Sequence, residues 1–314
     1  MSTDEMWAGG HPAYLDMDPG QDDVWALATA LGVLQVLGVT TVAGNHTVDN
    51  TYRNAVNVLD VFGRNDIPVH RGCAAPLWHP LVTAPEIHGQ TGLDGYAFPT
   101  REVTVADVHA VEWLASQLCS LSRSVSVIAT GPLTNVAALL IGHPSVKPHL
   151  SGITVMGGSL SGGNVTPHAE FNFYVDPDAA DWVMGSGVPI KMVGLDVTRQ
   201  ATVTRAEVEE RLGSSSREAA RMLVALFRFY ARRHPDPHHP FPLHDVLAVA
   251  ADVKPDLFEW RSIPLTVVRC DPVRRGQSAM IEEATDRQPV DVAVQIDVLR
   301  FFDWFWEALR LSGL

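Results

Sequence analysis

The chain is poor in cysteine and in basic residues, and both shortages exclude classes of protein. The three cysteines among its 314 residues, Cys73, Cys119 and Cys270, are odd in number and far apart, so they fit neither a disulfide framework nor a zinc motif. A reducing cytoplasm is the expected compartment. The 23 lysines and arginines are outnumbered by 36 acidic residues, giving a formal net charge of -13. That charge argues against a nucleic-acid partner and disfavours a highly anionic substrate.

Long apolar runs are also missing. No window reaches the roughly 18 apolar residues of a membrane span, so no membrane partner is expected. The first residues, MSTDEMWAGGHP, are acidic and lack an apolar core, which is unlike a secretory signal peptide. No low-complexity linker, repeat or long charge run divides the chain. We therefore predict one domain over 1–314, with a disordered or irregular N-terminus at about 1–12.

What the chain does contain is an alternation of two apolar patterns, within a composition that is 46% hydrophobic. Short runs such as 36–42 and 125–129 read as strands, and each is followed by a segment with helical spacing. This alternation predicts an α/β fold with a mainly parallel central sheet flanked by helices, open and Rossmann-like. The Pro- and Gly-rich segment 72–100 is expected to be a long loop. The later part of the chain reads as mostly helical, with strand candidates at 264–268 and 290–296.

Four aspartates, Asp16, Asp18, Asp22 and Asp23, lie in the run LDMDPGQDD directly after a predicted strand. That much like charge in one turn is costly unless something positive holds it. Calcium and magnesium are natural partners because they take oxygen ligands, although the spacing does not fit an EF-hand loop. The alternative is a solvated acidic turn that caps the following helix. Four carboxylates behind a buried strand favour the cation, since buried charges need partners.

Three further segments place polar side chains among apolar neighbours: AGNHTVDN, GNVTPHAEFNFYVDP and HHPFPLHDVLAVAA. Each has a structural alternative. Asn45 fits a turn, Glu170 and Asn172 fit the flank of a strand edge, and Asp245 fits a helix N-cap. The aspartate turn, Asn45 and the loop before Glu170 all follow predicted strands. Because ligands gather at the carboxyl ends of parallel strands, the set predicts one site at that edge of the sheet.

Together these segments resemble those of inosine–uridine-preferring nucleoside hydrolases. The matching pieces occur in that family's order over roughly residues 13 to 250: LDMDPGQDD, TVAGN, IHGQTGLDG, ATGPLTNVA, VMGG, GNVTPHAEFNFYVDPDAA, VGLDVT and PLHD. The resemblance implies the nucleoside hydrolase fold and calcium-dependent hydrolysis of the N-glycosidic bond of ribonucleosides to ribose and free base. It also implies a small-molecule ribonucleoside substrate, a role in purine and pyrimidine nucleoside salvage, and a homodimer or homotetramer.

The resemblance further implies roles for single residues. Asp18 matches the general base that activates a metal-bound water, and it also ligates Ca²⁺. Asp23, the Thr130 carbonyl and Asp245 match the other protein ligands of the ion. His244 matches a histidine near the leaving base that is the proposed acid for some substrates. Asp16 reads as supporting rather than catalytic. The residues implied to bind substrate are Asp22, Asn45, His88, Met156, Asn164, Glu170 and Asn172.

Elementary chemistry agrees with these roles. Cleavage of an N-glycosidic bond develops positive charge on the ribose, which nearby carboxylates stabilise. A bound divalent cation orients a water and eases its deprotonation, and a positioned general base contributes about 10²–10⁴-fold. Hydrogen bonds to both ribose hydroxyls position the sugar. They also predict a preference for ribonucleosides, because a missing hydroxyl leaves buried polar groups unpaired.

The segment FRFYARRHPDPHHPFPLHD is the least family-like part of the site. It carries Tyr230, Arg232 and Arg233 before His244, but not the Gln and Tyr that pyrimidine-preferring members of the family have upstream of that histidine. The sequence therefore gives no preference between purine and pyrimidine. Its histidines invite a zinc interpretation, but the interspersed prolines break any helical face that would align them. A partly exposed loop is expected instead.

Three other functions stay open at this stage. The unfamiliar 228–240 segment motivates a related ribosyl hydrolase that acts on a modified or unusual nucleoside. A non-catalytic, calcium-dependent nucleoside-binding homologue is a second alternative, against which the intact Asp18 and His244 argue. A phosphate-dependent phosphorylase is the third. The chain shows no Gly-rich phosphate loop or basic cluster near the aspartate motif, and an acidic site would repel phosphate.

Overall fold

A computed structural model describes residues 11–99, 106–282 and 286–314. The first strand begins at His11, at the end of the segment predicted to be irregular, about 1–12; the rest of that segment lies outside the described residues. The strands are β1 (His11–Met17), β2 (Leu34–Thr41), β3 (Val69–Arg71), β4 (Val125–Ala129), β5 (Leu150–Met156), β6 (Ile190–Val193), β7 (Thr202–Thr204), β8 (Pro240–Pro242), β9 (Phe258–Ile263), β10 (Leu265–Val267), β11 (Ser278–Met280) and β12 (Val290–Ile296).

The helices connect these strands in the expected alternation over the first two thirds of the chain. They are α1 (Gln21–Val33), α2 (Val48–Val61), α3 (Pro85–His88), α4 (Ala110–Ser120), α5 (Thr134–Gly142), α6 (Phe171–Val175), α7 (Pro177–Met184), α8 (Leu195–Thr198), α9 (Arg205–Leu212), α10 (Glu218–Ala231), α11 (His244–Val253) and α12 (Val298–Leu311). In the described ranges, no helix has the length and apolar character needed to cross a bilayer.

An eight-stranded sheet with the order β3-β2-β1-β4-β5-β6-β12-β9 forms the centre of the fold. Its strands run parallel from β3 to β12, and only the edge strand β9 is antiparallel to its neighbour. The prediction of a mainly parallel central sheet flanked by helices is therefore confirmed. Two short antiparallel pairs, β10 with β11 and β7 with β8, lie outside it.

Both faces of the sheet are buried, which explains why its strands are almost uniformly apolar. In β1, Ala13, Leu15 and Met17 belong to an apolar cluster that includes α1, α10, α11 and α12, while Tyr14 belongs to a second cluster with α4, α5 and α7. Alternate side chains of a strand point to opposite faces. Helices thus cover the sheet on both sides, and a ligand must approach from an edge.

The carboxyl ends of β1, β2 and β4 meet at one such edge. Met17 accepts a hydrogen bond from Val42 N at 3.0 Å, and the Asp16 carbonyl accepts one from Thr130 N at 2.9 Å. These contacts bring the loops that leave the three strands side by side. The polar residues that follow each strand in the sequence therefore converge in space.

The sequence patterns miss two features and find a third. The strand β9, at the edge of the sheet, is buried only at its two end residues, so its pattern gives no strand signal in a region predicted to be mostly helical. The strand candidate at 264–268 is confirmed as β10, which pairs with β11 outside the central sheet. Within the predicted 72–100 loop lies the four-residue helix α3, which starts at Pro85 and is too short to show a period.

A buried carboxylate at the opposite end of the sheet ties three strands to α11. Asp252 accepts hydrogen bonds from Ser126 Oγ at 2.8 Å, Thr154 Oγ1 at 2.9 Å and His11 Nε2 at 3.1 Å. Burial raises the pKa of Asp252, but these three hydrogen bonds outweigh it and hold the pKa below the ordinary value of 3.8. The folded state therefore favours the charged form, and this contribution to stability is present above the unfolded-state pKa.

Asp252→Asn is expected to lower the free energy of unfolding at neutral pH by roughly 1–3 kcal/mol, because a buried, charge-assisted hydrogen-bond network loses its negative charge and one of its two acceptor oxygens. The difference from wild type should shrink as the pH falls below 3.8, where wild-type Asp252 also takes up a proton. Urea unfolding of both proteins at several pH values measures this difference in the free energy of unfolding. Asp256→Asn, at an exposed ion pair with Arg300, is the matched control and should change little. A deficit in Asp252→Asn that is independent of pH would contradict the assignment.

Candidate active site

A cavity of about 330 Å³ opens where the carboxyl ends of β1, β2, β4 and β5 meet. All of the residues that the sequence assigns to the site line this cavity except Asp18 and Asp23, which lie directly beneath it in the aspartate turn. The sequence-assigned lining residues are Asp22, Asn45, His88, Thr130, Met156, Asn164, Glu170, Asn172, His244 and Asp245.

The aspartate turn is held tightly between β1 and α1. Gly20 precedes the first residue of α1, and its backbone N–H donates to Asp23 Oδ2 at 3.0 Å. A Cβ at this position would lie 2.5 Å from His88 Nδ1 and 2.9 Å from Asn45 Nδ2. Only glycine allows so close an approach. The turn is therefore shaped by contacts with the site itself, and it is not the solvated loop of the alternative interpretation.

The structure brings together carboxylates from the aspartate turn and from α11, which are far apart in the sequence. One oxygen each of Asp22, Asp23 and Asp245 lies within 4.8 Å of the others, with Asp245 supplied by the first turn of α11. Asp18 Oδ1 and Asp22 Oδ1 are buried and have no hydrogen-bond partner in the part of the chain that the structure describes. Carboxylate oxygens that are gathered and buried in this way suit a hard divalent cation. The gathered group includes Asp23 and Asp245 of the predicted ligands and contains Asp22, whereas Asp18 is not part of it.

Burial and mutual repulsion both disfavour charge on these carboxylates. The pKa of Asp23 is raised to about 7, first by burial and then by the charge of Asp22. Burial followed by Asp23 raises the pKa of Asp18 well above its ordinary value, and burial followed by Asp22 does the same for Asp245. A cation among them would reverse this by favouring the ionised forms.

Asn45 binds the aspartates directly. Its backbone N–H donates to Asp18 Oδ2 at 2.7 Å, and its side-chain Nδ2 donates to the Asp18 carbonyl and to Asp23 Oδ2, both at 3.2 Å. These contacts fix one oxygen of Asp18 and leave Oδ1 unpaired. Asn45 therefore does more than form the turn after β2.

Thr130, just after β4, connects the aspartates to the floor of the cavity. Its hydroxyl donates to Asp23 Oδ1 at 2.7 Å, and its carbonyl accepts from Asn172 Nδ2 at 2.7 Å. Asn172 Nδ2 also donates to the Met156 carbonyl at 3.1 Å. The carbonyl predicted to ligate the cation is thus buried beside the carboxylates and keeps a second lone pair.

Glu170 is the N-cap of α6 and lines the cavity floor next to Asn172. Its carboxylate accepts backbone hydrogen bonds from Gly158 at 2.9 Å, Asn172 at 2.9 Å and Phe173 at 3.2 Å. Burial nevertheless raises its pKa to about 7. Asn164 lies at the exposed rim, where its Oδ1 accepts from Phe171 N at 3.0 Å. The alternative that Glu170 and Asn172 flank a strand edge is wrong, because both belong to the start of a helix.

Two histidines stand above this floor. His88 Nδ1 lies 2.6 Å from Gln21 Oε1, and Gln21 Nε2 donates to the His88 carbonyl at 3.1 Å, which ties α3 to α1. Burial, helped by Arg233, lowers the pKa of His88 to about 3. His244 Nδ1 lies 2.8 Å from Thr198 Oγ1, and burial, followed by Arg199, lowers its pKa to about 4. Both imidazoles are therefore neutral at pH 7 in this structure.

The outer wall contains residues to which the sequence gave no role. The segment Val82–Ile87 lines one side, and Tyr230 and Arg233 at the end of α10 line the other. Gln21 anchors His88, although nothing in its sequence context distinguishes it from an ordinary helix residue. The zinc interpretation of the histidine-rich loop gains no support. Among the described residues, no histidine belongs to a group that could hold a metal ion.

Comparisons with known proteins define the class that this fold and site represent. Residues 13–303 match the family "Inosine-uridine preferring nucleoside hydrolase". The chain belongs to this family of nucleoside N-ribohydrolases, as its resemblance predicted.

Among its relatives, the pyrimidine-specific ribonucleoside hydrolase RihA of Shewanella baltica is 44% identical over 304 residues, covering 95% of each chain. The protein of the same name from Photobacterium profundum is 38% identical, over 95% of this chain and 98% of that one.

Solved structures place the chain in the same class. A plant nucleoside hydrolase superposes with a TM-score of 0.88 at 32% identity, over 95% of this chain and 98% of that chain. A purine-preferring ribonucleoside hydrolase from Gardnerella vaginalis superposes with a TM-score of 0.87 at 30% identity, over 96% and 99% of the two chains.

Proposed function

We propose that this chain hydrolyses the N-glycosidic bond of pyrimidine ribonucleosides, with Ca²⁺ bound by the aspartate turn and Asp245. The observation that carries the proposal is the convergence of buried carboxylates, two of them with unpaired oxygens, beside a polar floor of sugar-binding character. The base preference is supported by the relatives named as pyrimidine-specific, which are more similar in sequence than the purine-preferring structure.

The residues that would hold the cation are Asp18, Asp23, Asp245 and the Thr130 carbonyl, all oxygen donors that calcium prefers. When bound, the cation supplies positive charge that orients a water molecule and eases the loss of its proton. Asp22 has an oxygen close enough to Asp23 and Asp245 to join this set or to turn toward the sugar.

Asp18 is the proposed general base. Asn45 holds its Oδ2 in place and leaves Oδ1 without a donor, so one oxygen is positioned and the other is available for a proton. In this proposal the free oxygen of Asp18 comes within hydrogen-bond reach of the attacking water, which is what a general base requires.

The floor binds the ribose in this proposal. Asp22, Asn164, Glu170 and Asn172 present carboxylate and amide groups to the cavity, and Met156 packs beneath the sugar. Carboxylates next to the ring stabilise the positive charge that develops as the bond to the base breaks. His88 and His244 stand at the base end; the acid role of His244 stays a prediction, to be tested on substrates that differ in leaving group.

The test is the release of reducing sugar from five ribonucleosides in phosphate-free buffer. We expect uridine and cytidine to be cleaved faster than inosine, adenosine and guanosine. Deoxyuridine should react more slowly than uridine by roughly 10⁴–10⁵-fold, because the floor then has an unpaired polar group. Faster cleavage of purines would overturn the base preference. A requirement for phosphate would identify a phosphorylase, and binding without turnover of any nucleoside would identify a non-catalytic homologue.

A homodimer or homotetramer stays a prediction from the resemblance. Light scattering of the purified protein measures the mass directly, and a monomer at working concentrations would refute it.

A further inference from the structure

The outer end of the cavity differs in charge from its floor. Its floor and rim carry the carboxylates of Asp22, Glu86, Glu170 and Asp245. Among the described lining residues, Arg233 is the only lysine or arginine. A lone guanidinium in an otherwise acidic cavity is the side chain best suited to stabilise negative charge on a bound ligand.

Arg233 is held in place by Tyr230, which lies three residues earlier in the chain. Its guanidinium carbon lies 4.8 Å from the centre of the Tyr230 ring, and its Nε donates to the Tyr230 carbonyl at 3.4 Å. A guanidinium at this distance from an aromatic ring gains cation–π stabilisation. A stacked guanidinium can still use its in-plane Nη–H groups as donors.

Tyr230 is itself fixed by aromatic neighbours. Its ring centre lies 5.5 Å from that of Phe241, 6.4 Å from that of Phe227 and 6.4 Å from that of His88. Burial raises the pKa of its hydroxyl, and the charge of Asp22 raises it further, so the hydroxyl stays protonated and is a permanent donor. Arg233 and Tyr230 thus form a preorganised pair of hydrogen-bond donors, which we call the outer donor pair.

The adjacent arginine shows that this placement is specific. The guanidinium of Arg232 is taken up by other contacts: it lies 3.5 Å from the centre of the Phe229 ring and donates to the carbonyls of Phe229 at 2.7 Å, Ile87 at 3.3 Å and Glu86 at 3.3 Å. Arg232 is not among the lining residues, whereas Arg233 is. The fold therefore directs only one of the two consecutive cations into the cavity.

The charge of Arg233 also reaches across the cavity. Burial raises the pKa of Asp22, and the charge of Arg233 opposes that rise; burial, followed by Arg233, lowers the pKa of His88. Negative charge that forms between these two walls during a reaction would be stabilised by the same field. A positive group that is fixed in place before the reaction stabilises such charge without reorganising.

We propose, on the basis of the proposed function, that Arg233 activates the leaving base and that the outer donor pair selects bases with a carbonyl next to the glycosidic nitrogen. The bond between C1′ and N1 breaks, and its electron pair moves onto the base, where N1 and the O2 carbonyl share the charge. Arg233 donates to O2 as this charge forms, and Tyr230 donates beside it. Water forms the new bond to C1′ and gives its proton to Asp18, and the departing base is later protonated by solvent.

The test compares two ribosides with different leaving groups. Uridine releases a poor leaving group that needs stabilisation, whereas 4-nitrophenyl β-D-ribofuranoside releases an intrinsically stable phenolate. Removal of one preorganised donor to a developing anion costs roughly 10²–10³-fold in kcat, so Arg233→Ala should lose this much on uridine. The same variant should cleave the nitrophenyl riboside almost as fast as wild type. Arg233→Lys should recover part of the uridine activity because it restores the charge without the planar fork.

The control is Arg228→Ala, an exposed arginine on the same helix that pairs with Glu209 at 2.7 Å and is not among the cavity-lining residues. It should match wild type on both substrates. Equal losses of Arg233→Ala on both ribosides, or no loss on uridine, overturn the inference and leave the proposed function intact. A wild-type protein that cleaves neither riboside overturns the proposed function, and this inference with it.

Discussion

Asp18→Asn is expected to lower kcat for uridine by roughly 10²–10⁴-fold, the usual contribution of a positioned general base. The substitution keeps the size of the side chain, and its amide oxygen can still accept the 2.7 Å hydrogen bond from Asn45 N. The substitution removes the carboxylate, which takes the proton from water and supplies negative charge to the cation site. Steady-state kinetics with uridine, with saturating calcium, measure the effect. The KM for uridine should change less than kcat, because Asp18 acts on the water and not on the sugar.

Asp16→Asn is the matched control for that variant. Asp16 lies two residues earlier in β1 and is equally buried, but its Oδ1 accepts from Thr40 Oγ1 at 2.6 Å and from Asn135 Nδ2 at 2.7 Å, away from the cavity. Burial raises its pKa to about 6. This variant should lose thermal stability and keep most of its turnover. A loss of turnover equal to that of Asp18→Asn, or full activity of Asp18→Asn, would show that Asp18 is not the base.

Removal of divalent cations with a chelator should abolish turnover and lower the melting temperature together. A cation at the reacting centre supplies several kcal/mol, so the rate on uridine should fall by roughly 10³-fold or more. The folded state alone binds the cation, and an excess of 100 times its Kd stabilises the fold by about 2.7 kcal/mol. Differential scanning fluorimetry and uridine assays on the same chelated sample measure both. Added calcium should restore both the rate and the melting temperature, and added potassium should restore neither.

Asp245→Asn separates a specific site from a general salt effect. Asp245 is buried, and one of its oxygens lies within 4.8 Å of oxygens of Asp22 and Asp23. Its variant should need much more calcium for turnover, and its melting temperature should respond little to added calcium. A chelated wild type that keeps its full rate would exclude the metal from the reaction. A calcium response of the variant equal to that of wild type would place the cation elsewhere.

The sequence predicted those parts of the fold that depend on local pattern. The buried run before Asp16 and the helical spacing after Asp23 identify β1 and α1 because each element carries its own period. The order of such units then predicts a parallel sheet and places the aspartate turn at its carboxyl edge. The edge strand β9 was missed, since its half-exposed residues depend on pairing with β12, about thirty residues later in the chain.

In the site, too, the sequence predicted some features and not others. The carboxylates and amides were found because their motifs resemble those of a known family. The contacts between them were not predictable, since they join residues distant in sequence: Gln21 with His88, and Asn172 with Thr130. The direction of Arg233 depends on where α10 ends and on the Tyr230 ring on which it stacks. No period or motif encodes that direction.

The central claim is that one divalent cation sits among the acids at the edge of the sheet. A crystal grown with calcium and a slowly reacting uridine analogue tests it most directly. The account predicts one strong, anomalously scattering peak contacted by oxygens of Asp18, Asp23, Asp245 and the Thr130 carbonyl, with the ribose against Glu170 and Asn172. Density for water alone at that position, with the carboxylates turned toward solvent, would contradict it.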